Sequence, residues 1–237
     1  MIIADNIAKI EELIQKTCDS AGRKRDEITL MGVTKFEPPE KIEEAYRCGI
    51  RCFGESRVKE ADGKFSNFKN IYSDAQLHLI GSLQRNKARQ AAVLFDCIQS
   101  VDRNELIDDL AKHSHLRCEA QLKPLSVLLE FHTGEETKCG YACQDDLFIA
   151  AELLINSGCL MPAGLMTMAP FTDDLQLIRA SFRQLVKAQS ELRKRFPLNG
   201  NEKNWDILSM GMSNDYITAI EEGSTLLRIG SAIFKGL

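Results

Sequence analysis

The sequence predicts an α/β protein with the architecture of a TIM-type (β/α)8 barrel, a single domain over residues 1–237 with an extra amino-terminal helix. Eight short apolar segments alternate with helical patterns, which is typical of a parallel sheet. Eight such units in 237 residues fit a closed barrel better than an open sheet. The nucleotide fingerprints G-x-G-x-x-G and G-x-x-x-x-G-K are both missing, so neither favours the open alternative.

The extra helix is predicted over residues 2–19, because Ile3, Ile7, Ile10 and Leu13 recur at helical spacing. The eight strands are predicted at 29–34, 50–54, 77–81, 96–101, 125–131, 163–168, 206–209 and 225–229. The following helices are predicted at 38–47, from 56, and at 85–94, 103–113, 144–156, 172–195, 213–223 and 231–234, and 132–142 is a loop.

Several residues mark the ends and faces of these helices. Proline suits the first turn of the helix at 38–47, and Gly49 follows its end, where a C′ glycine belongs. Thr172 and Ser213 are expected as N-caps. The apolar stripe of the long helix is predicted to comprise Leu175, Ile178, Phe182, Leu185 and Leu192.

Composition narrows the class of partner. The chain has 44% hydrophobic and 27% charged residues and a net charge of -4, so neither nucleic acid nor a membrane is expected as its main partner. Its eight cysteines show no zinc or redox spacing, so no metal site is expected. With no signal peptide, free thiols point to a cytoplasmic protein.

The most informative strand end is Val33-Thr34-Lys35. A lysine at the mouth of a barrel can be desolvated, and desolvation lowers its pKa. The free amine can then attack a carbonyl group and form a Schiff base. The alternative is an ordinary solvated loop lysine, which is the commoner case for a lysine at a strand end.

Two serine–glycine loops follow the seventh and eighth strands, where barrels often bind phosphate. Ser209 and Gly211 lie in the first loop, with Met210 between them, and Gly230 and Ser231 lie in the second. Glycines let backbone N–H groups approach an anion closely, although they also serve simply to make turns. Together with Lys35, the loops suggest a phosphorylated aldehyde held at two ends, a description that fits pyridoxal 5′-phosphate.

The motifs of the chain resemble those of the pyridoxal-phosphate homeostasis proteins, a family related to the amino-terminal domain of alanine racemase. The resemblance extends over nearly the whole chain and rests on VTK at 33–35, FGESRVKE at 53–60, LHLIGSLQRNKAR at 77–89, SVDR at 100–103, GEETKCG at 134–140, GLMTMAP at 164–170, SMGMSNDY at 209–216 and LRIGSAIFKG at 227–236.

The resemblance implies a monomeric barrel that carries pyridoxal 5′-phosphate as an internal aldimine on Lys35. The phosphate is expected in the loops Ser209–Gly211 and Gly230–Ser231. Arg228 is expected near the pyridine nitrogen, where a permanent cation weakens the ring as an electron sink.

Some positions depart from the family pattern. Ser56 and His132 stand where the family usually has Asn, Leu77 replaces an aromatic residue, and Ser231 replaces Thr. Ser56 is expected at the cofactor, although serine reaches less far than Asn. His78 either points into the barrel mouth and meets the cofactor or is a hydrogen-bonded core histidine.

Three functions remain open. The first is a carrier or buffer of pyridoxal phosphate in vitamin B6 homeostasis, with cofactor-dependent enzymes as acceptors and without robust turnover. The second is an amino-acid racemase-like enzyme. The chain ends at Leu237, so we expect no second domain to supply an opposing base. The third is an interaction protein with a vestigial site, against which Lys35, Arg228 and the two loops argue.

Overall fold

The protein is a closed barrel of eight parallel strands surrounded by helices. A computed structural model describes residues 2–134, 139–197 and 205–236. The strands are β1 Thr29–Val33, β2 Cys52–Glu55, β3 Gln76–Leu79, β4 Cys97–Val101, β5 Leu125–Glu130, β6 Leu160–Met166, β7 Ile207–Ser209 and β8 Leu226–Ile229. Each strand pairs in parallel with its neighbours in the chain, and β1 pairs with β8 to close the barrel. The predicted fold class is confirmed.

The helices cover the outside of the barrel. They are α1 Ile2–Ser20, α2 Pro39–Arg47, α3 Val58–Ile71, α4 Ala88–Leu94, α5 Asn104–Lys112, α6 His115–Glu119, α7 Gln144–Asn156, α8 Leu175–Arg195, α9 Tyr216–Glu221 and α10 Ser231–Phe234. Short 3₁₀ turns lie at Arg25–Glu27 and Arg85–Lys87. Among the described residues, no helix combines the length and apolar character that crossing a membrane would require.

Most elements lie where the sequence predicts them. Pro39 opens α2, and Gly49 follows that helix with a φ of +102°, as expected for a C′ glycine. The short helix α6 was not predicted, and β6 begins earlier than expected, at Leu160. Residues 135–138 of the predicted 132–142 loop lie outside the described residues.

Two predicted apolar stripes contain one wrong member each. In α1, Leu13 is exposed, and Ile14 is fully buried in its place. In α8, Leu175 is exposed because it is the first residue of the helix and lies before the stripe meets the sheet. Ile178 and Phe182 are buried as predicted.

Two predicted N-caps are also wrong. The α8 cap is Asp174, whose carboxylate accepts hydrogen bonds from the N–H groups of Gln176 and Leu177. Thr172 lies outside the helix and accepts a hydrogen bond from Asp174 N–H. Helix α9 begins at Tyr216, so Ser213 lies too far upstream to cap it.

Alternation along the strands divides side chains between two cores. Phe53 and Leu77 point outward and pack against the helices, whereas Met31, Cys52 and Leu226 form a cluster inside the barrel. The interior nearer the carboxyl ends of the strands is polar, and the candidate site lies there.

Candidate functional site

The carboxyl ends of β7, β8 and β1 bring together most of the residues predicted for the site. Lys35 follows β1, Arg228 lies in β8, and Ser209 ends β7. Strand β8 pairs with both β1 and β7, so these three positions occupy neighbouring parts of one mouth. His78 in β3 and Ser56 after β2 lie further around the same rim.

Lys35 occupies the corner of a tight turn. The N–H group of Glu37 donates a hydrogen bond to the carbonyl oxygen of Thr34 at 2.9 Å, which leaves Lys35 and Phe36 at the two central positions. The Lys35 side chain is exposed, and its Nζ lies 5.3 Å from the centroid of the Phe36 ring. Of the two alternatives left open by the sequence, the structure agrees with a solvated lysine, because Lys35 lies two residues beyond the end of β1, on the open rim.

A chain of hydrogen bonds crosses the barrel interior from β8 to β3. Arg228 Nη1 lies 2.7 Å from Ser209 Oγ, Ser209 Oγ lies 2.6 Å from Gln99 Oε1, and Gln99 Nε2 lies 2.8 Å from His78 Nδ1. All four side chains are buried. Arg228 also donates through Nη2 to the carbonyl oxygen of Thr167 at 2.8 Å.

The orientation of the Gln99 amide sets the direction of the bonds in this chain. An arginine only donates, so Ser209 accepts from Arg228, and Ser209 Oγ donates to Gln99 Oε1. The amide nitrogen of Gln99 faces His78 Nδ1. This contact and the burial of His78 agree with the interpretation of His78 as a hydrogen-bonded core histidine.

Arg228 remains a cation despite its burial. Burial lowers the pKa of its guanidinium to about 10, and the nearby carboxylates of Asp215 and Glu130 oppose that shift. A pKa of about 10 leaves the group charged at neutral pH. The mouth thus contains a fixed positive charge that holds two hydrogen-bond acceptors in place.

Glu130 is the buried acid of the mouth. Glu130 is the last residue of β5 and lies on the same face of the strand as Leu128, which faces the barrel interior. Its exposed fraction is 4%. Burial and, to a smaller extent, the charge of Asp102 raise the pKa of Glu130, Arg228 partly offsets them, and the net result is a pKa of about 7. The carboxyl group can therefore exchange a proton near neutral pH.

The loops after β7 and β8 approach each other through Ser213 and Ser231. Their hydroxyl oxygens lie 3.0 Å apart, and the N–H group of Ala232 points at Ser213 Oγ at 3.4 Å. Ser213, expected as a helix cap, thus belongs to the same cluster of hydroxyl groups as Ser231. Ser209 was predicted for this role, but its hydroxyl group is already bonded to Gln99 and Arg228 in the interior.

The two loop glycines are required by close approaches. Gly211 has a φ of +97°, and a Cβ atom there would lie 2.6 Å from the Cβ of Ala219. A Cβ atom at Gly230 would lie 3.3 Å from the carbonyl oxygen of Val33, two residues before Lys35. The glycine in the β8 loop therefore lets that loop lie against the end of β1.

Of the two remaining predicted residues, Met210 lies differently from expectation. The Met210 side chain is fully buried in the layer between the sheet and the helices, so it points away from the mouth. This follows from strand alternation, since Met210 comes directly after the inward-facing Ser209. Ser56 is half-buried and packs against Gly81, where a Cβ atom would lie 2.4 Å from the Ser56 carbonyl oxygen.

His132 lies in a small cleft beside Glu130, which Thr133, Gly134, Cys139, Thr167 and Met168 also line. The Nε2 atom of His132 is buried and has no hydrogen-bond partner among the described residues. Residues 135–138, within the GEETKCG motif, lie outside the described part of the chain.

The sequence reasoning missed Gln99, Glu55 and Lys64. Gln99 links the predicted residues Ser209 and His78, and Glu55 and Lys64 bind the residue before Lys35. A polar residue within an apolar strand was the available signal for Gln99. Lys64 gave no signal, because a lysine on a helix usually faces solvent.

Comparison with known proteins identifies the family. Residues 6–237 match the family model described as alanine racemase, N-terminal domain. The pyridoxal phosphate homeostasis protein of Aquifex aeolicus is 36% identical over 237 residues, which cover 99% of this chain and 98% of the relative. The homologous protein of Escherichia coli is 35% identical and covers 98% of this chain.

A solved structure agrees with the sequence comparison. PipY of Synechococcus elongatus, determined with PLP bound, is 31% identical, covers 98% of this chain and 99% of its own, and superposes with a TM-score of 0.82. The full-length match to the family model and the close relatives agree. The chain belongs to the alanine racemase N-terminal domain family, among the pyridoxal phosphate homeostasis proteins.

Proposed function

We propose that this protein binds pyridoxal 5′-phosphate as a Schiff base of Lys35 and acts in vitamin B6 homeostasis rather than as a robust catalyst. The observation that carries the proposal is the placement of an exposed lysine, a buried cationic arginine and two hydroxyl-bearing loops on the neighbouring strands β1, β8 and β7. Relatives that are named as pyridoxal phosphate homeostasis proteins support it.

The donor set fits the chemistry of the cofactor. The amine of Lys35 can condense with an aldehyde, and its exposure leaves it open to the ligand. The hydroxyl groups of Ser213 and Ser231 suit a phosphate. Gly211 and Gly230 let the two loops pack closely against the neighbouring chain. Arg228 offers N–H donors to the pyridine nitrogen, with Ser209, His78 and Ser56 as supporting groups.

Arg228 favours a carrier over an enzyme. The bound cofactor supplies an electron-accepting ring, which is most effective when its nitrogen is protonated. A guanidinium that stays cationic at neutral pH opposes that protonation. Such a protein would hold the cofactor on Lys35, with the aldehyde converted to an imine, without promoting reactions of amino acids.

A racemase-like activity is the second candidate, and Glu130 is the observation that favours it. Strand β5 lies opposite β1 in a barrel of eight strands, so Glu130 and Lys35 approach the mouth from opposite sides. A carboxyl group with a pKa of about 7 can take or give a proton there. Exchange of the α-proton of an amino acid in D₂O, lost in Glu130→Gln, would support this candidate.

The proposal also covers the oligomeric state of the protein, its location in the cell and the enzymes that receive the cofactor. We infer a monomer in the cytoplasm that delivers the cofactor to enzymes that depend on it. Light scattering tests the oligomeric state. Transfer to an apoenzyme, followed by recovery of that enzyme's activity, tests delivery.

Lys35→Ala tests the site itself. After incubation with pyridoxal phosphate and dialysis, we expect the parent protein to keep a Schiff-base absorbance band and Lys35→Ala to lose it with the fold intact. Lys59→Ala, a change of an exposed lysine on α3, is the matched control and should keep the band. A band that persists in dialysed Lys35→Ala would place the Schiff base on another lysine.

A further inference from the structure

Thr34, the residue before Lys35, forms hydrogen bonds through all of its polar groups. Thr34 is fully buried, and its N–H group donates to the carbonyl oxygen of Gly54 at 2.9 Å. Its hydroxyl group donates to Glu55 Oε1 at 2.7 Å. Its carbonyl oxygen accepts from Glu37 N–H at 2.9 Å and from Lys64 Nζ at 2.7 Å.

Lys64 and Glu55 complete this arrangement with each other. Lys64 Nζ lies 3.0 Å from Glu55 Oε1, and the Lys64 side chain is only 16% exposed, while that of Glu55 is fully buried. Lys64 reaches this position from α3, whose neighbouring residue Phe65 is packed in the core. One ion pair therefore joins the ends of β1 and β2 to a helix directly behind the Lys35 turn.

The buried ion pair between Glu55 and Lys64 carries a cost in desolvation free energy. Glu55 Oε2 is buried and has no hydrogen-bond partner among the described residues, so part of the charge is not compensated. Apolar side chains of similar volume often stabilise a fold as well as a buried ion pair does. What they cannot supply is the pair of bonds that fix the carbonyl and hydroxyl groups of Thr34.

We propose that Glu55 and Lys64 are positioning residues that hold the turn carrying Lys35, so that its amine meets the cofactor in one orientation. The inference rests on the proposed function. Because the Lys35 side chain is exposed and extends away from the core, the backbone turn is the part of the lysine that the fold can fix. Thr34 transmits that constraint, since it contacts both positioning residues.

The test replaces the pair by apolar residues and measures the turn and the chemistry separately. The double variant Glu55→Met/Lys64→Met should fold, because both charges are removed together. In the protein without cofactor, we expect hydrogen exchange of the Thr34–Glu37 turn to become at least about tenfold faster. We expect the rate constant for Schiff-base formation with pyridoxal phosphate to fall about tenfold, while the denaturant midpoint changes little.

Two further variants make the result specific. Glu55→Gln keeps an oxygen acceptor for Thr34 and Lys64, so it should retain most of the rate that the double variant loses. If the double variant does not fold, Thr34→Val, which removes the hydroxyl group that donates to Glu55, takes its place with the same expected losses. Lys69→Met/Asp96→Asn removes a second ion pair of α3, with Nζ 2.7 Å from Asp96 Oδ2, at strands other than β1. This control should leave both the turn and the rate unchanged.

Each contrary outcome identifies what fails. Unchanged exchange in the turn, or faster exchange with an unchanged rate of Schiff-base formation, overturns the positioning role. If the double variant loses rate only together with a lowered denaturant midpoint, and Glu55→Gln restores neither, the pair is only structural and the positioning role is overturned. A parent protein that forms no Schiff base on Lys35 overturns the proposed function itself, whatever the variants do.

Discussion

At the scale of single residues, position along a strand identifies the chemistry better than residue type does. Lys35 and Arg228 could be found from the sequence because both lie near the carboxyl end of a predicted strand. Gln99 could not be assigned a role, because its partners Ser209 and His78 come from strands that are remote in sequence. Side-chain exposure was also beyond the sequence, so a desolvated and a solvated Lys35 stayed open until the structure showed the side chain exposed.

The pKa of Glu130 leads to a prediction about stability. Burial raises this pKa from 4.5 to about 7, so the folded protein binds an additional proton between these pH values. The stability that the protonated group contributes is fully present below pH 4.5 and is lost as the pH rises through about 7. Gln stays neutral at both pH values. We therefore expect the free energy of unfolding of Glu130→Gln, relative to that of the parent, to be higher at pH 8 than at pH 5 by about 2 kcal/mol.

Urea unfolding at the two pH values measures this gain. Glu119→Gln, a change of an exposed carboxylate on α6, is the control and should show no comparable gain. An advantage of Glu130→Gln that is the same at pH 5 and pH 8 would mean that burial does not disfavour the ionised form of Glu130.

At the scale of elements, the sequence predicts where strands and helices lie more securely than how they begin. Period and composition locate α8, but Thr172 and Asp174 are both suitable N-caps by residue type. The choice depends on which backbone N–H groups the first turn presents, and this is fixed only in three dimensions. Leu175 illustrates the same limit, since it matches the apolar period but precedes the contact with the sheet.

The two cap candidates make distinct predictions. Asp174→Ala should lower the free energy of unfolding by about 1 kcal/mol, because two N–H groups of the first turn lose their acceptor. Thr172→Ala should change it by less than about 0.5 kcal/mol, since Thr172 lies outside the helix. Thermal or urea unfolding of both variants measures these changes. A larger loss of unfolding free energy in Thr172→Ala than in Asp174→Ala would indicate that Thr172 is the N-cap of α8.

At the scale of the whole molecule, closure of the barrel creates the candidate site. Strand β8 lies between β7 and β1, so residues from both ends of the sequence meet at one mouth. The order of eight strands could be predicted from the alternating pattern. The hydrogen-bonded chain from Arg228 to His78 could not, because it depends on which interior side chains share a level across the closed barrel.

The most direct test of the central claim is to locate the Schiff base chemically. The purified protein is incubated with pyridoxal phosphate, reduced with borohydride and digested, and the labelled peptide is sequenced by mass spectrometry. The account predicts stoichiometric label on Lys35, with the exposed lysine Lys59 unlabelled. Label on another lysine, or no label on a protein that folds normally, would contradict it.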